Sequence, residues 1–260
     1  MKNILFVACR SGDESNGAWG PVGMLVHDAG LYRFCYTYGA MKLPDFQPFP
    51  GMEDLNRAYE SEELFPLFSN RLLPSSRPEY EAFLRWGGLE GTQPDPIAVL
   101  SITGGIRQTD SIEVFPCPVR GEFGGYSSKF FLHGIRWLPQ ESLNRIDRLQ
   151  SEERLSLMPD PTNKYDPYAV AVRTDIERML IGYVPRYLTR DILNLLKSCD
   201  PEDIDLEVDR LNSDAPLQQR VLCRMRSCWP DGFKPCHGEE FQPVPAEMAG
   251  LCTEWEQGVR

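Results

Sequence analysis

The sequence is poor in histidine and has no long apolar runs, and both shortages exclude classes of protein. Its three histidines, His27, His133 and His237, lie in separate segments with no nucleophile motif or paired carboxylate beside them. No apolar run approaches the roughly 18 residues of a membrane-spanning helix. The opening "MKNILFVACR" is too short in apolar residues for a signal peptide and is typical of a first strand. We therefore predict a cytoplasmic protein that is not an enzyme.

Positive charge is also scarce, but it is unevenly distributed. The 260 residues contain 27 Lys and Arg against 38 Asp and Glu, a net charge of −11. Residues 1–118 (nine basic, fifteen acidic) and 201–260 (six basic, twelve acidic) each carry −6, whereas residues 119–200 (twelve basic, eleven acidic) carry +1. A protein that coats duplex DNA by charge needs a basic surface. Only the middle of this chain is therefore expected to meet a phosphate backbone.

The eight cysteines are scattered along a chain without a secretion signal, so free thiols are expected. One cluster extends from Cys223 to His237. Structural zinc sites usually pair their ligands about two to four residues apart, whereas Cys223 and Cys228 are five apart and Cys236 is adjacent to His237. The sequence predicts no cofactor and no metal, although whether this cluster binds zinc stays open.

The order of apolar patterns predicts an α+β chain, mostly β, with two domains and a tail. Residues 1–118 are predicted to form a β-rich domain with helices, and residues 119–232 a small, partly open β-barrel of five or six short strands with one helix. Residues 233–260 are interpreted as a C-terminal tail. A linker near residues 116–128, with two prolines and three glycines, separates the domains.

Individual elements follow from periodicity and turn residues. In residues 1–118 a hairpin is predicted to turn at Asp28-Ala29-Gly30, and the segment 52–87 is predicted to be helical. The other predicted strands of that region are "ILFVAC", "IAVLSI" and "SIEVFP". In the second half a helix is predicted over "YLTRDILNLLKS", and strands over "KFFLHGIRWL", "ERLSLMPD", "AVAV", "RMLIGYVPR", "DIDLEVDRL" and "QQRVLCRMRSCWP".

One stretch, "TNKYDPYAVAV", contains an aromatic residue that its predicted turn and strand do not require. Asn163 and Asp166 are turn residues that bond their own backbone, and the alternating run Ala169–Val172 predicts a strand. A turn that leads into a strand needs no aromatic side chain, yet Tyr165 stands between Lys164 and a carboxylate. This tyrosine is a candidate binding residue.

Three motifs in this half of the chain together resemble a HIRAN domain. They are a glycine after the first strand (Gly134), an "N-x-Y-D-x-x-A-V" core (Asn163 to Val170), and "I-G-Y-V-P-R" (Ile181 to Arg186) leading into a helix. The resemblance covers residues 128–230. It implies an OB-like β-barrel that binds single-stranded DNA and captures a free 3′ end. The sequence does not decide between DNA and RNA.

The resemblance also implies which residues would bind. Tyr165 and Trp137 would stack on opposite faces of a terminal base, a contact that contributes about 1–3 kcal/mol per base. Asp166 would accept a hydrogen bond from the 3′-hydroxyl, and Arg136 and Arg186 would lie near backbone phosphates.

Asn163, from the same core motif, completes the predicted nucleic-acid-binding set. Each member has a structural alternative. The two aromatic rings can close the mouth of a barrel, Asn163 and Asp166 can be turn residues alone, and the two arginines can be solvated surface charges. Trp137 also stands where a tyrosine is commoner in the family.

Residues 1–118 resemble the N-terminal subdomain of HipA-type toxin kinases, through "GPVGMLVHDAGLYRFCYTYGA" followed by "ELFPLFSNRLLP". The kinase body is missing, because the sequence lacks the Gly-rich strand with its lysine and the catalytic loop. The resemblance therefore implies a docking domain for a protein partner such as a HipA-like kinase. In the alternative hypothesis the chain is a regulatory subunit of a toxin–antitoxin pair that acts through protein contacts only.

Overall fold

A computed structural model of the chain describes residues 3–11, 18–90, 95–107, 110–121 and 124–249. The fold is mixed α+β and mostly sheet, with 31% strand against 26% helix, as predicted. Within the described ranges, no helix is both long enough and apolar enough to cross a membrane.

Eleven strands and six α-helices lie wholly within the described residues, and residues 246–249 are helical as well. The strands are β1 Asn3–Ser11, β2 Ala18–Asp28, β3 Leu31–Tyr36, β4 Tyr59–Ser61, β5 Ile112–Pro116, β6 Tyr126–Phe131, β7 Leu155–Pro159, β8 Val170–Thr174, β9 Leu180–Tyr183, β10 Asp205–Leu211 and β11 Val221–Ser227. The helices are α1 Tyr38–Lys42, α2 Pro66–Ser69, α3 Tyr80–Trp86, α4 Pro96–Thr103, α5 Gln140–Ile146 and α6 Thr189–Ser198.

The chain divides into two compact units. Unit 1 comprises Met1–Tyr80, Gln93–Cys117 and Lys234–Arg260, and unit 2 comprises Glu81–Thr92 and Pro118–Phe233. The units differ from the predicted domains in two places, because the segment 81–92 groups with unit 2 and the predicted tail groups with unit 1. Residues 122 and 123 of the predicted linker, and residues 250–260 of the tail, lie outside the described residues. The functional division into a docking domain and a HIRAN domain stays a prediction.

Unit 1 is built on an antiparallel five-stranded sheet of order β4-β3-β2-β1-β5. Strands β2 and β3 are joined by a two-residue turn in which Ala29 has φ 51° and Gly30 φ 81°. Positive φ at both central residues matches the right-handed twist of the flanking strands. The predicted hairpin at Asp28-Ala29-Gly30 is confirmed.

Aromatic side chains fill the core on one face of this sheet. Phe34 and Tyr36, which alternate with Cys35 along β3, both contact Phe49, and the Phe34 ring also lies 5.9 Å from the Phe68 ring. The buried Tyr36 hydroxyl donates to the Met52 carbonyl at 2.8 Å and accepts from the Phe49 N–H at 2.6 Å. A buried phenol needs such partners, because leaving a polar group unpaired inside a core costs about 1–3 kcal/mol.

The predicted strand "IAVLSI" is wrong, because these residues form α4. Asp95 caps the helix by accepting from the Ile97 N–H at 3.1 Å, Pro96 occupies the first turn, and Gly104 ends it at φ 69°. A short run that is apolar on most sides does not reveal its period, so strand and helix look alike in sequence. The predicted helical segment 52–87 is right only in part: residues 59–61 form β4, and α2 and α3 follow it.

The described part of the predicted tail packs onto unit 1. The Val244 N–H donates to the Tyr36 carbonyl at 2.9 Å, and the Phe241 ring meets the Phe6 ring edge-on at 5.1 Å. These residues thus complete the packing of unit 1.

Unit 2 contains two three-stranded antiparallel sheets, β10-β11-β6 and β7-β8-β9. Single bridges link them: His133 pairs with Tyr183 and Arg154 with Glu207. Pairing beyond β6 stops early because Gly134, at φ 76°, turns the chain into a 3₁₀ helix, Ile135–Trp137. The described strands form no closed barrel, and the OB-like form of the predicted, partly open barrel stays a prediction.

Helix α6 supplies much of the core of unit 2. Leu188, just before the helix, lies with Ile192 and Leu195 on one buried face, which confirms the predicted amphipathic helix. Helix α3 also contributes contacts within unit 2: Trp86 Nε1 donates to Asp214 at 3.2 Å, and Asn212 Nδ2 donates to the Trp86 carbonyl at 3.0 Å.

A disulfide joins Cys199, directly after α6, to Cys228, directly after β11. The prediction of free thiols is wrong for this pair. The two residues lie 29 apart in sequence, and only the packing of α6 against the sheet brings them together. Five other cysteines in the described ranges are buried and belong to no disulfide, and Cys252 lies outside those ranges.

The cluster from Cys223 to His237, for which zinc binding was left open, is divided between the two units. Cys223 is buried in β11 of unit 2, Cys228 is bonded to Cys199, and Cys236 belongs to unit 1. Among the residues whose positions are described, no three His, Cys, Asp or Glu side chains are grouped so that they could hold a metal ion.

Candidate nucleic-acid interface

The loop between β7 and β8 is closed by its own backbone. The Asp160 N–H donates to the Ala169 carbonyl at 2.8 Å, and the Ala169 N–H donates to the Asp166 carbonyl at 3.0 Å. Asn163 Oδ1 accepts from the N–H groups of Tyr165 at 3.0 Å and Asp166 at 3.2 Å. Asn163 therefore has the turn role that its residue type favours. Its side chain fixes the backbone that carries Tyr165.

Tyr165 itself lies on the surface, with 67% of its area exposed. Because Asn163 holds the backbone of the turn, the tyrosine ring is not needed to form it. The ring is not part of the unit 2 core. It presents a flat apolar surface to solvent from a loop whose backbone is hydrogen-bonded.

Trp137 is presented in a similar way from a different segment. It ends the 3₁₀ helix that Gly134 begins, and its N–H donates to the Gly134 carbonyl at 3.0 Å. Its side chain is 74% exposed, and the guanidinium of Arg136 lies 4.6 Å from the ring centroid. A cation at this distance over an aromatic face is attracted by the ring. Arg136 thus supports the indole from one side.

Tyr183, at the end of β9, connects these two segments. Its backbone exchanges two hydrogen bonds of 2.9 Å with His133, next to Gly134, and its hydroxyl donates to Asp160 Oδ2 at 3.3 Å. The Tyr183 ring packs so close to Gly134 that a Cβ added there would lie 3.1 Å from it. One side chain therefore positions both the Trp137 segment and the loop of Tyr165.

The hydrogen bond between the Tyr183 hydroxyl and the Asp160 carboxylate can form at neutral pH. A hydrogen bond from the Thr162 hydroxyl, with others from Asn163 and Tyr183, lowers the pKa of the Asp160 carboxyl. Burial, with the Asp160 charge adding to it, raises the pKa of the Tyr183 phenol. Near pH 7 the carboxylate is therefore charged and the phenol keeps its proton. The donor and the acceptor of the contact are both present.

Asp166 is less exposed than its neighbours in the loop. Its side chain is 14% exposed, Oδ1 accepts from the Tyr168 N–H at 2.9 Å, and Oδ2 lies 3.5 Å from Nε of Arg186. Arg186 begins the 3₁₀ turn Arg186–Leu188 that leads into α6. The structure thus places an anionic acceptor directly beside a cation.

Of the six residues predicted from sequence, the structure groups four around the loop and two at the 3₁₀ helix. The loop group is Asn163, Tyr165, Asp166 and Arg186, and the second group is Arg136 and Trp137. The turn alternative describes real contacts of Asn163 and Asp166. The exposure of the two rings argues against the alternative in which they only close a barrel mouth.

A second exposed aromatic residue of this loop, Tyr168, was not among the residues predicted from sequence. Tyr168 is 46% exposed, and the guanidinium of Arg190, in α6, lies 4.8 Å from its ring centroid. A signal was present, because "KYDPY" contains a second tyrosine in a turn that requires none.

Comparison with known proteins identifies a family for part of the chain. Residues 126–226 match the family model described as the HIRAN domain. These residues form a HIRAN domain. The match lies wholly in unit 2 and covers less than half of the chain, so the HipA-like resemblance of residues 1–118 stays a prediction.

Two solved structures are similar to this chain. The HIRAN domain of human HLTF is 15% identical, with a TM-score of 0.31, over 52% of this chain and 90% of that one. A structural-genomics target from Lactobacillus plantarum is 18% identical, with a TM-score of 0.30, over 40% of this chain and 99% of that one. No curated protein matches the chain.

Proposed function

We propose that unit 2 is a non-enzymatic module that binds the 3′ end of single-stranded nucleic acid, with single-stranded DNA as its expected ligand. The observation that carries the proposal is the exposure of Trp137 and Tyr165, at 74% and 67%, within a HIRAN domain. Exposed aromatic faces are what base stacking needs, and stacking tolerates any sequence because every base has a flat face.

The loop supports this proposal because its backbone is already fixed. Hydrogen bonds to Asn163 and between Asp160 and Ala169 hold the segment that carries Tyr165. A binding surface that is ordered before the ligand arrives avoids the entropy loss of ordering it on binding. Two fixed rings can therefore bind a base without a broad basic surface, in keeping with the net charge of −11.

Recognition of the chain end is assigned to Asp166. Its carboxylate accepts one backbone N–H and contacts Arg186, and carboxylate oxygens have further lone pairs that can accept from a hydroxyl. A 3′-hydroxyl can donate to it, whereas a 3′-phosphate brings negative charge and no comparable donor. Arg186, and Arg136 at the second group, are suitably charged for backbone phosphates.

The role of unit 1 rests on sequence alone. The resemblance of residues 1–118, most of which belong to this unit, to a HipA N-terminal subdomain suggests that the unit docks onto a protein such as a HipA-like kinase. In the alternative function the whole chain is a regulatory subunit that acts through protein contacts, and unit 2 is only a scaffold. The experiment below separates these functions, because the scaffold alternative predicts no binding of nucleic acid.

The deciding experiment is a fluorescence-anisotropy titration of the full chain with 5′-labelled oligothymidylates that differ only at the 3′ end. We expect the 3′-hydroxyl oligonucleotide to bind more tightly than its 3′-phosphorylated counterpart, and the RNA counterpart will show which sugar is preferred. Equal affinity for both ends would refute end capture. Absence of binding to every oligonucleotide would favour the regulatory-subunit alternative.

A further inference from the structure

Tyr168 has the features of a second stacking surface, next to the one already assigned. Its ring is 46% exposed although it lies only three residues after Tyr165 in the same hydrogen-bonded loop. Its backbone N–H donates to Asp166 Oδ1 at 2.9 Å, the carboxylate to which end capture is assigned. The backbone that carries the second ring is thus hydrogen-bonded to the residue that would hold the 3′-hydroxyl.

Arg190 covers one face of this ring and leaves the rest accessible. The guanidinium carbon lies 4.8 Å from the ring centroid, within the range of a cation–π contact. An arginine in this position holds the ring in place and also brings positive charge to its edge. A stacked base and its phosphate would find both an aromatic face and a cation here.

A second arginine that contacts the loop, Arg186, lies four residues before Arg190, in the 3₁₀ turn that leads into α6. Arg186 contacts Asp166 and Arg190 contacts Tyr168, so two neighbouring positions of the loop are each matched by a cation from the start of α6. This pairing repeats the combination found at Trp137, where Arg136 lies over the ring. An exposed aromatic ring with an arginine against it therefore occurs at two places in unit 2.

We infer that Tyr168, supported by Arg190, binds the nucleotide that precedes the 3′-terminal one, so that unit 2 recognises at least two nucleotides of a single strand. This inference rests on the proposed function, because it extends the same site by one position. It assigns Tyr165 and Trp137 to the terminal base and Tyr168 to its neighbour. In the structural alternative, the Arg190–Tyr168 contact only stabilises the loop.

The test compares ligands of different length on matched variants. Thymidine 5′-monophosphate supplies only the terminal nucleotide, and an oligothymidylate of eight residues supplies its neighbours. Tyr168→Ala should weaken the affinity for the octamer by about 5- to 10-fold. This is at the lower end of the range for base stacking, because the ring is only partly exposed. The monophosphate, measured by competition, should bind as it does to the unmodified protein. Tyr168→Phe keeps the ring and should keep the octamer affinity.

Two further variants test the contribution of Arg190 and provide a matched control for the loss of an arginine. Arg190→Ala should weaken the octamer less than Tyr168→Ala. Arg57→Ala removes a cation that lies 5.3 Å from the Tyr59 ring in unit 1 and should leave the octamer affinity unchanged. The preference for a 3′-hydroxyl should survive in Tyr168→Ala, since Asp166 and the backbone N–H remain.

Three results would overturn the inference. Unchanged octamer affinity in Tyr168→Ala, with Tyr165→Ala weakened, would remove Tyr168 from the site and leave the proposed function standing. An equal loss for monophosphate and octamer in Tyr168→Ala would show that the ring acts through loop stability. If the unmodified protein bound neither ligand, the proposed function would fail and this inference with it.

Discussion

The two units use aromatic side chains in opposite ways. In unit 1, Phe34, Tyr36 and Phe68 have no exposed area and contact one another or a shared neighbour inside the core. In unit 2, Trp137 and Tyr165 leave most of their area in solvent while Tyr126 and Phe130 fill the core. The first kind stabilises a fold by removing apolar area from water. The second kind leaves that apolar area unburied until a ligand covers it.

The difference arises from the backbone that carries each ring. Strand β3 lies inside a five-stranded sheet, so its alternate side chains must enter a core. Trp137 and Tyr165 stand on a 3₁₀ helix and a closed loop, which satisfy their own hydrogen bonds and do not require the rings to pack. An aromatic ring on a fixed non-core segment is thus a better indicator of binding than aromatic content alone.

The largest effect expected from this comparison is on stability. Phe68→Ala should lower the free energy of unfolding of unit 1 by about 3–5 kcal/mol, because it empties a fully buried site. Tyr165→Ala should change the free energy of unfolding by no more than about 0.5 kcal/mol, as exposed substitutions usually do. Denaturant titration followed by circular dichroism measures both. Similar losses in the two variants would contradict the distinction between core and surface rings.

A second prediction concerns the preference for the chain end. Asp166→Asn should reduce the preference for 3′-hydroxyl over 3′-phosphate by about 1.5–3 kcal/mol, because a charge-assisted hydrogen bond becomes a neutral one and the repulsion is removed. Paired titrations of the two oligonucleotides give this value. Asp214→Asn, which alters an exposed aspartate–arginine pair with Arg85 in the same unit, is the matched control and should leave the preference intact. A lower melting temperature with an unaltered preference would support the turn role alone.

The rings themselves should affect affinity by a comparable amount. Tyr165→Ala and Trp137→Ala should each weaken single-strand binding by about 1–3 kcal/mol without altering stability. Tyr38, which is 39% exposed in unit 1, provides the control, and Tyr38→Ala should bind normally. If both site variants retained full affinity, stacking would not be the basis of binding.

The salt dependence of the affinity shows how much of the binding comes from charges and how much from the aromatic rings. Only two or three phosphates are expected to be contacted, by Arg136, Arg186 and Lys164. The slope of log affinity against log salt should therefore be shallow, about −1.4 to −2.1 for a single strand. Titrations at several salt concentrations measure it. A much steeper slope would mean that an additional basic surface carries the binding.

The smallest effect should come from the residue that connects the two ring segments. Tyr183→Phe removes the hydroxyl that donates to Asp160 and should cost about 0.5–1.5 kcal/mol of stability. A small loss of oligonucleotide affinity should accompany it, because the loop and the 3₁₀ helix both depend on this side chain. Thermal unfolding and anisotropy on the same sample test this. An unchanged melting temperature would mean that the backbone pairing with His133 is sufficient.

Elements whose signals are local could be predicted from the amino-acid sequence alone. The hairpin at Asp28-Ala29-Gly30 followed from turn chemistry, and helix α6 followed from its apolar period, because both depend on residues a few positions apart. The HIRAN resemblance rested on motifs with fixed spacing. Asn163 shows why the spacing is fixed, because its side chain accepts hydrogen bonds from the backbone N–H groups two and three residues later. By contrast, α4 was missed because a short run that is apolar on most sides has no period to detect.

Contacts between residues far apart in sequence, by contrast, follow from how the chain packs. The disulfide between Cys199 and Cys228, the ion pair of Asp166 with Arg186, and the placement of Arg190 over Tyr168 all join segments about twenty or more residues apart. No sequence period encodes such contacts, since they depend on how α6 and the loop pack onto the same strands. For the same reason the end of β6 was not foreseen: the strand predicted over residues 129–138 ends at Phe131, and Gly134, at φ 76°, turns the chain into a 3₁₀ helix.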